Sequence, residues 1–211
     1  MKQEGSLALF HYWNRLRGDR PAPKRTDIEP ADIKSLLGDT FILERDMRGE
    51  AIFRLAGTRL CAIYGRELKG FAFTSLWRET ERRVVARLVA SVFQSKSVVC
   101  FDFYGFGRDD RSVSFEFVLL PLDGGQENPR CLGALSAAHK PFWLGSHPIA
   151  DAKLGSVRVI DPDRDPMFLK NRPAVPVPPM ARGHAPKADF LLNNARRIRH
   201  LLVLDGGRGP E

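Results

Sequence analysis

Residues 112–122, SVSFEFVLLPL, alternate so regularly that they fix the centre of the fold: Val113, Phe115, Phe117 and Leu119 fall on one side, Ser114 and Glu116 on the other. A period of two is a β-strand with one buried face. Two further strand-like runs flank it, SVVCFDFYGF at 97–106 and RCLGALSAAH at 130–139. They are connected through a Gly-Arg-Asp-Asp-Arg turn and a DGGQENP loop. Short polar connections of this kind predict an antiparallel meander. Such a sheet needs a cover, and the preceding segment supplies one. Over residues 79–94 the apolar residues Val84, Val85, Leu88, Val89, Val92 and Phe93 step by three and four, leaving Arg78, Arg82, Arg83 and Arg87 to the opposite face.

Upstream, Leu9, Phe10, Trp13 and Leu16 recur at helical spacing between Ser6, read as a cap, and Gly18, read as a stop. Pro30 opens a short helix whose Ile33, Leu36 and Leu37 face inward before Gly38 ends it. TFILERD and AIFRLAG then form a hairpin around Arg48-Gly49, and a helical turn over 58–64 closes at Gly65. Helix, two strands, helices and three strands describe an α+β domain. Its expected form is a five-stranded antiparallel sheet with helices on one face and an N-terminal helix in front.

The chain has 211 residues, 43% of them hydrophobic, which suits one domain of about 150 residues with added segments. Seven of the fifteen prolines fall between 162 and 186. That stretch excludes a helix or central strand and reads as an extended linker. The expected organisation is a helical extension at 1–38, the sheet domain at 39–145, a Pro-rich linker at 146–186 and an amphipathic basic tail at 187–211. In the tail Phe190, Leu191, Ile198, Leu201 and Leu202 could form a stripe beside Arg196, Arg197 and Arg199. No apolar run approaches the roughly 20 residues of a membrane span, and the start lacks the apolar core of a signal peptide. The expected location is the cytoplasm. Cys61, Cys100 and Cys131 have no C-x-x-C spacing and read as free thiols.

An ordered set of short motifs carries a resemblance. It comprises Tyr12-Trp13, Leu16-Arg17-Gly18 and Arg20, then Pro23, Arg25, Asp27, Ile28 and Pro30. FRLAGT from Phe53, YGREL from Tyr64 with Gly70, Leu120-Pro121-Leu122 and Leu132-Gly133 complete it. Over roughly residues 8–145 the chain resembles the alphaproteobacterial PAS proteins that consist of a single PAS domain with little else. The resemblance implies a sensory or regulatory module in signal transduction that acts through protein partners, commonly as a dimer, with no enzymatic activity. It supplies no ligand.

The chemistry of cofactor sites can be tested against the residues. Haem iron needs an axial ligand, usually His, and residues 79–94 contain none. A flavin adduct of the light-sensing kind needs a Cys in an Asn-Cys-Arg-Phe type motif, from which RLCAIYG around Cys61 departs. Both are disfavoured, and no cofactor is expected. The five histidines have no metal-site spacing. Asp161, Asp163 and Asp165 lack the Gly and Glu of a calcium loop. GFGRDD joins strand to strand and offers no helix start to phosphate. No G-x-S-x-G elbow occurs, so no constellation supports catalysis.

What remains is an aromatic set. Phe101, Phe103, Phe115 and Phe117 should face Tyr64, Phe73 and Trp77, either as plain core or as the wall of a ligand cavity. Arg54 is either exposed or a charge aimed into that cavity, suited there to a carboxylate or phosphate. His139 reads as a surface or capping residue. Phe10, Trp13 and Leu16 form a stripe that demands burial, on the sheet or on a second copy, and are the candidate interface of a homodimer. The net charge of +8 and the arginine clusters at 78–87 and 196–199 support a competing reading. In it, a basic adaptor docks on nucleic acid or an acidic partner.

Overall fold

The computed structural model describes residues 1–108, 111–124 and 129–163, together with two short strands at 195–198 and 201–204. Contacts divide the chain into two units, Met1–Arg172 and Pro173–Glu211. The first contains helices α1 (Glu4–Arg17), α2 (Thr58–Tyr64) and α3 (Glu79–Ser95) and strands β1 (Thr40–Arg45), β2 (Ala51–Ala56), β3 (Val98–Phe106), β4 (Ser112–Leu122), β5 (Arg130–Ala137) and β6 (Asp151–Ile160). The sheet is antiparallel in the order β2-β1-β5-β4-β3-β6. In the second unit, β7 (Ala195–Ile198) pairs with β8 (Leu201–Leu204).

Local chemistry accounts for most boundaries. The β1–β2 turn is held by the Asp46 carboxylate, which accepts from the backbone N–H of Arg48 at 2.9 Å and of Glu50 at 2.8 Å. Gly65 ends α2 in the left-handed conformation with φ 63°. Lys96 ends α3, and the helix buries Val85, Val89, Val92 and Phe93 while Val84, expected inside, is exposed. The segment from Pro30 forms a 3-10 turn rather than an α-helix, with Ile33 buried and Leu37 exposed. Ser6 does not cap α1, which starts two residues earlier. Its hydroxyl is buried and donates to Ser136 Oγ at 3.1 Å.

Two expectations are corrected. The sheet has six strands, because Asp151–Ile160, read as the start of the linker, pairs with β3 from Val98↔Ile160 to Phe106↔Asp151. Its sequence, DAKLGSVRVI, lies mostly exposed on an edge and so lacks apolar alternation. Gly155 sits at a register shift, where an added Cβ would stand 2.9 Å from the Asp102 carbonyl oxygen. Second, helices do not keep to one face. Val113, Phe115, Phe117 and Leu119 join the core under α2 and α3, while Val118, Leu120 and Leu122 join a second core under α1. Within the expected tail, the described residues are the paired strands β7 and β8. Residues 164–186, which hold six of the fifteen prolines, lie outside the described residues.

Candidate functional site

Of the aromatic residues singled out from the sequence, Phe73, Trp77, Phe101, Phe103, Phe115 and Phe117 meet ring to ring, while Tyr64 belongs to the same core without one of these ring contacts. Trp77 lies 5.0 Å from Phe103 and 5.7 Å from Phe101 between ring centroids. Phe117 lies 4.9 Å from Phe103 and 5.3 Å from Phe73, and Phe115 stacks on Phe103 at 5.1 Å. Phe41 and Phe53, not among the candidates, complete the cluster, with Phe41 5.5 Å from Phe117 and 5.6 Å from Phe53. Their signal was the alternation within the first hairpin. Rings at these separations are in packing contact, each pair contributing about 1 kcal/mol beyond its area. The set is packed as a core.

Arg54 is not part of it. It follows the buried Phe53 on β2, so its side chain leaves the other face, 58% exposed, with Nε 3.8 Å from Glu44 Oε2. The reading as a charge aimed into the core is therefore corrected. Cys61 sits on α2 with Sγ 3.7 Å from Glu67 Oε1, and burial pushes its thiol upward. Burial also raises Cys100 and Cys131 to about 12, which keeps both as inert thiols. His139 is exposed just after β5, on the surface as read.

On the opposite face, Phe10 and Trp13 are buried and Leu16 half-buried, all against the chain's own sheet. Trp13 Nε1 donates to the Pro121 carbonyl at 2.7 Å. As an interface to a second copy, Phe10 and Trp13 are already occupied. Both ends of α1 are tied to the region of β6. At its start, Glu116, a buried carboxylate, accepts from the backbone N–H of Lys2 at 2.8 Å and of Gln3 at 3.2 Å, and from Arg158 at 3.2 Å. Beside it Asp102 accepts from Lys2 Nζ at 2.8 Å and Ser156 Oγ at 2.6 Å. Burial alone would push the Asp102 carboxyl up, but these bonds outweigh it and hold the group below its ordinary value. At the far end Arg17 lies over the Trp13 ring at 5.5 Å, donates to the Pro162 carbonyl at 3.0 Å and pairs with Asp163 at 2.9 Å. Asp163, read as one of three acidic linker residues, is thereby engaged.

Among the arginines of α3 and its start, Arg78 pairs with Asp151 and Arg82 with Glu79, while Arg83 and Arg87 are exposed. Arg199 and His200 lie outside the described residues. No helix among the described residues is long and apolar enough to cross a membrane.

Among the described residues, clefts open at two places beside α2, and of the aromatic candidates only Tyr64 lines either of them. The first, about 660 Å³, runs between the start of α1, α2 and the turn after β5, past Glu4, Arg59, Leu135 and Lys140. Its Arg59 is already held by Asp39 at 2.7 Å. The second, about 480 Å³, lies at the end of α2, and Tyr64, Arg66, Ser75 and Arg108 are among its lining.

No curated protein matches the chain. Among solved structures, the chain is similar to the Rhodobacter sphaeroides LOV protein at 13% identity and a TM-score of 0.40, over 55% of this chain and 71% of that one. It is similar also to the PAS domain of an HTR-like protein from Haloarcula marismortui at 18% identity and a TM-score of 0.38, over 51% and 89%. The family model described as PAS domain matches residues 1–136, from the start of the chain to Ser136 in the last strand of the meander, and the chain therefore belongs to the PAS-domain family.

Proposed function

We propose that this protein is a non-enzymatic sensory or regulatory module of the cytoplasm, in which α1 is the element that passes the state of the domain to a protein partner. The observation behind this reading is the double attachment of α1. Glu116 holds its start, and Arg17 at its end holds Pro162 and Asp163, where the chain leaves β6. A shift of the sheet therefore reaches α1 and the outgoing chain together. The packed aromatic cluster supports transmission through contacts rather than chemistry in the core. Lifting α1 would bare the apolar face that includes Ile42, Val118, Leu120 and Leu132, which a second copy of the chain can cover. Sedimentation of the full chain carrying Arg17→Ala and Glu116→Gln tests this. A shift toward dimer with faster amide exchange in α1 is expected. A variant that exchanges faster in α1 yet stays monomeric at all concentrations would overturn α1 as the homodimer element.

A further inference from the structure

The cleft at the end of α2 combines features that packing alone does not explain. Tyr64 lines it, and its hydroxyl is buried without a hydrogen-bond partner. A buried phenol ordinarily finds an acceptor, because leaving its O–H unpaired costs free energy. Burial raises the Tyr64 hydroxyl well above its ordinary value, and only the charge of nearby Arg66 opposes that. The group therefore stays a neutral donor. Arg66 itself is pre-positioned, with its guanidinium over the Phe71 ring at 4.9 Å and one nitrogen 3.4 Å from Ser75 Oγ.

The rest of the wall is fixed by backbone. The N–H of Ile149 donates to the Ile63 carbonyl at 2.8 Å, that of Ala150 donates to Phe106 at 2.8 Å, and Pro148 closes directly over Gly65. Arg108 adds a second cation, and among the described residues no carboxylate belongs to the lining. Leu76 and Ile149 give the cleft an apolar side. Its volume of about 480 Å³ falls within the usual range for small-molecule sites.

We propose that this cleft binds a small carboxylate with an apolar body. The carboxylate would pair with Arg66 and accept from the Tyr64 hydroxyl, and the body would rest on Leu76 and Ile149. The Tyr64 hydroxyl and Arg66 offer their donors to one anionic group, and Arg108 adds positive charge to the same lining. A phosphate dianion would have to shed more water against the apolar wall. This assignment is independent of the role given to α1.

Isothermal titration of the full chain with benzoate tests it, with benzamide and inorganic phosphate as comparisons. Binding of benzoate is expected, with at least a tenfold loss in Tyr64→Phe and again in Arg66→Gln, and with benzamide at least tenfold weaker. Tyr64→Phe should leave the melting temperature of the free protein unchanged or higher, since the hydroxyl has no partner to lose. That separates a ligand donor from a structural one. Absence of benzoate binding at millimolar concentration, or binding that neither substitution weakens, would overturn the site. Phosphate binding more tightly than benzoate would overturn the carboxylate assignment.

Discussion

Arg158 reaches across from β6 to place Nη2 3.2 Å from the carboxylate of Glu116, a residue only 1% exposed at the centre of the sheet. The same carboxylate receives two backbone N–H groups at the start of α1. One buried charge thus joins the central strand, the edge strand and the N-terminal helix. Glu116→Ala would leave those donors unpaired beneath the helix. The expected loss is about 2–4 kcal/mol, several degrees in the thermal midpoint. Arg158→Ala should cost less, about 1 kcal/mol, because its own side chain is 35% exposed and Glu116 keeps both backbone donors. Thermal denaturation of the two variants gives the comparison, and equal losses would assign the stabilisation to the ion pair rather than to the helix start.

Asp102, beside this group, carries a pH dependence whose sign follows from its depressed folded value. Because its carboxyl titrates lower in the folded chain than the ordinary 3.8, its charged form contributes stability above that pH. The contribution disappears as the pH falls through the folded value. Asp102→Asn should therefore melt below the wild type at pH 7, and the gap should close below about pH 4. Melting curves collected from pH 7 to pH 3 on both proteins check the window. A gap that stays constant across that range would mean the hydrogen bonds do not depend on the charge.

The first five strands and the two later helices were legible because each carries its own period and punctuation, as with Gly65 ending α2. Glu116 shows where that legibility ends. In sequence it is the polar residue of an alternating strand, the ordinary sign of a wet face. It is buried because partners at Lys2, Gln3 and Arg158 fold onto it from both ends of the domain. Arg54 shows the reverse, a charge whose side of the strand was undecided until pairing was known. The cleft needed the same long-range information. The sequence leaves Tyr64 as either plain core or the wall of a ligand cavity, and nothing local places Pro148 over Gly65. The Gly-Arg pair after Tyr64 was the signal available for Arg66.

Gly155→Val tests the edge strand that sequence reading missed. Its Cβ would stand 2.9 Å from the Asp102 carbonyl oxygen, which is strand backbone and cannot rotate away. The overlap must be relieved by moving β6 from β3, at a cost of about 1–3 kcal/mol. Hydrogen exchange should show lost protection in residues 151–160 while β4 and β5 stay protected. Uniform protection in the variant would show that the register shift at Phe101/Phe103 absorbs the side chain.

Cys100 and Cys131 give a direct reading of α1, because the sheet places them on opposite faces. Cys100 lies in the core beneath α1, and Cys131 in the core beneath α2 and α3. Burial, with a smaller push from the Glu116 charge, raises Cys100 to about 12, and burial raises Cys131 to about 12 as well. Only the thiolate reacts, so both should label far more slowly than Cys61 in the native protein at pH 8. Trp13→Ala removes a fully buried indole and the 2.7 Å bond to Pro121, and should cost about 3–5 kcal/mol. The loss falls on the α1 side of the sheet alone. If α1 can lift while the rest of the domain stays folded, the substitution should speed labelling of Cys100 well beyond that of Cys131. Mass spectrometry of the labelled peptides resolves the two sites. Equal acceleration at both cysteines would mean that α1 and the sheet open only together, as one cooperative unit, and would remove the separate mobility that a transmitting helix requires.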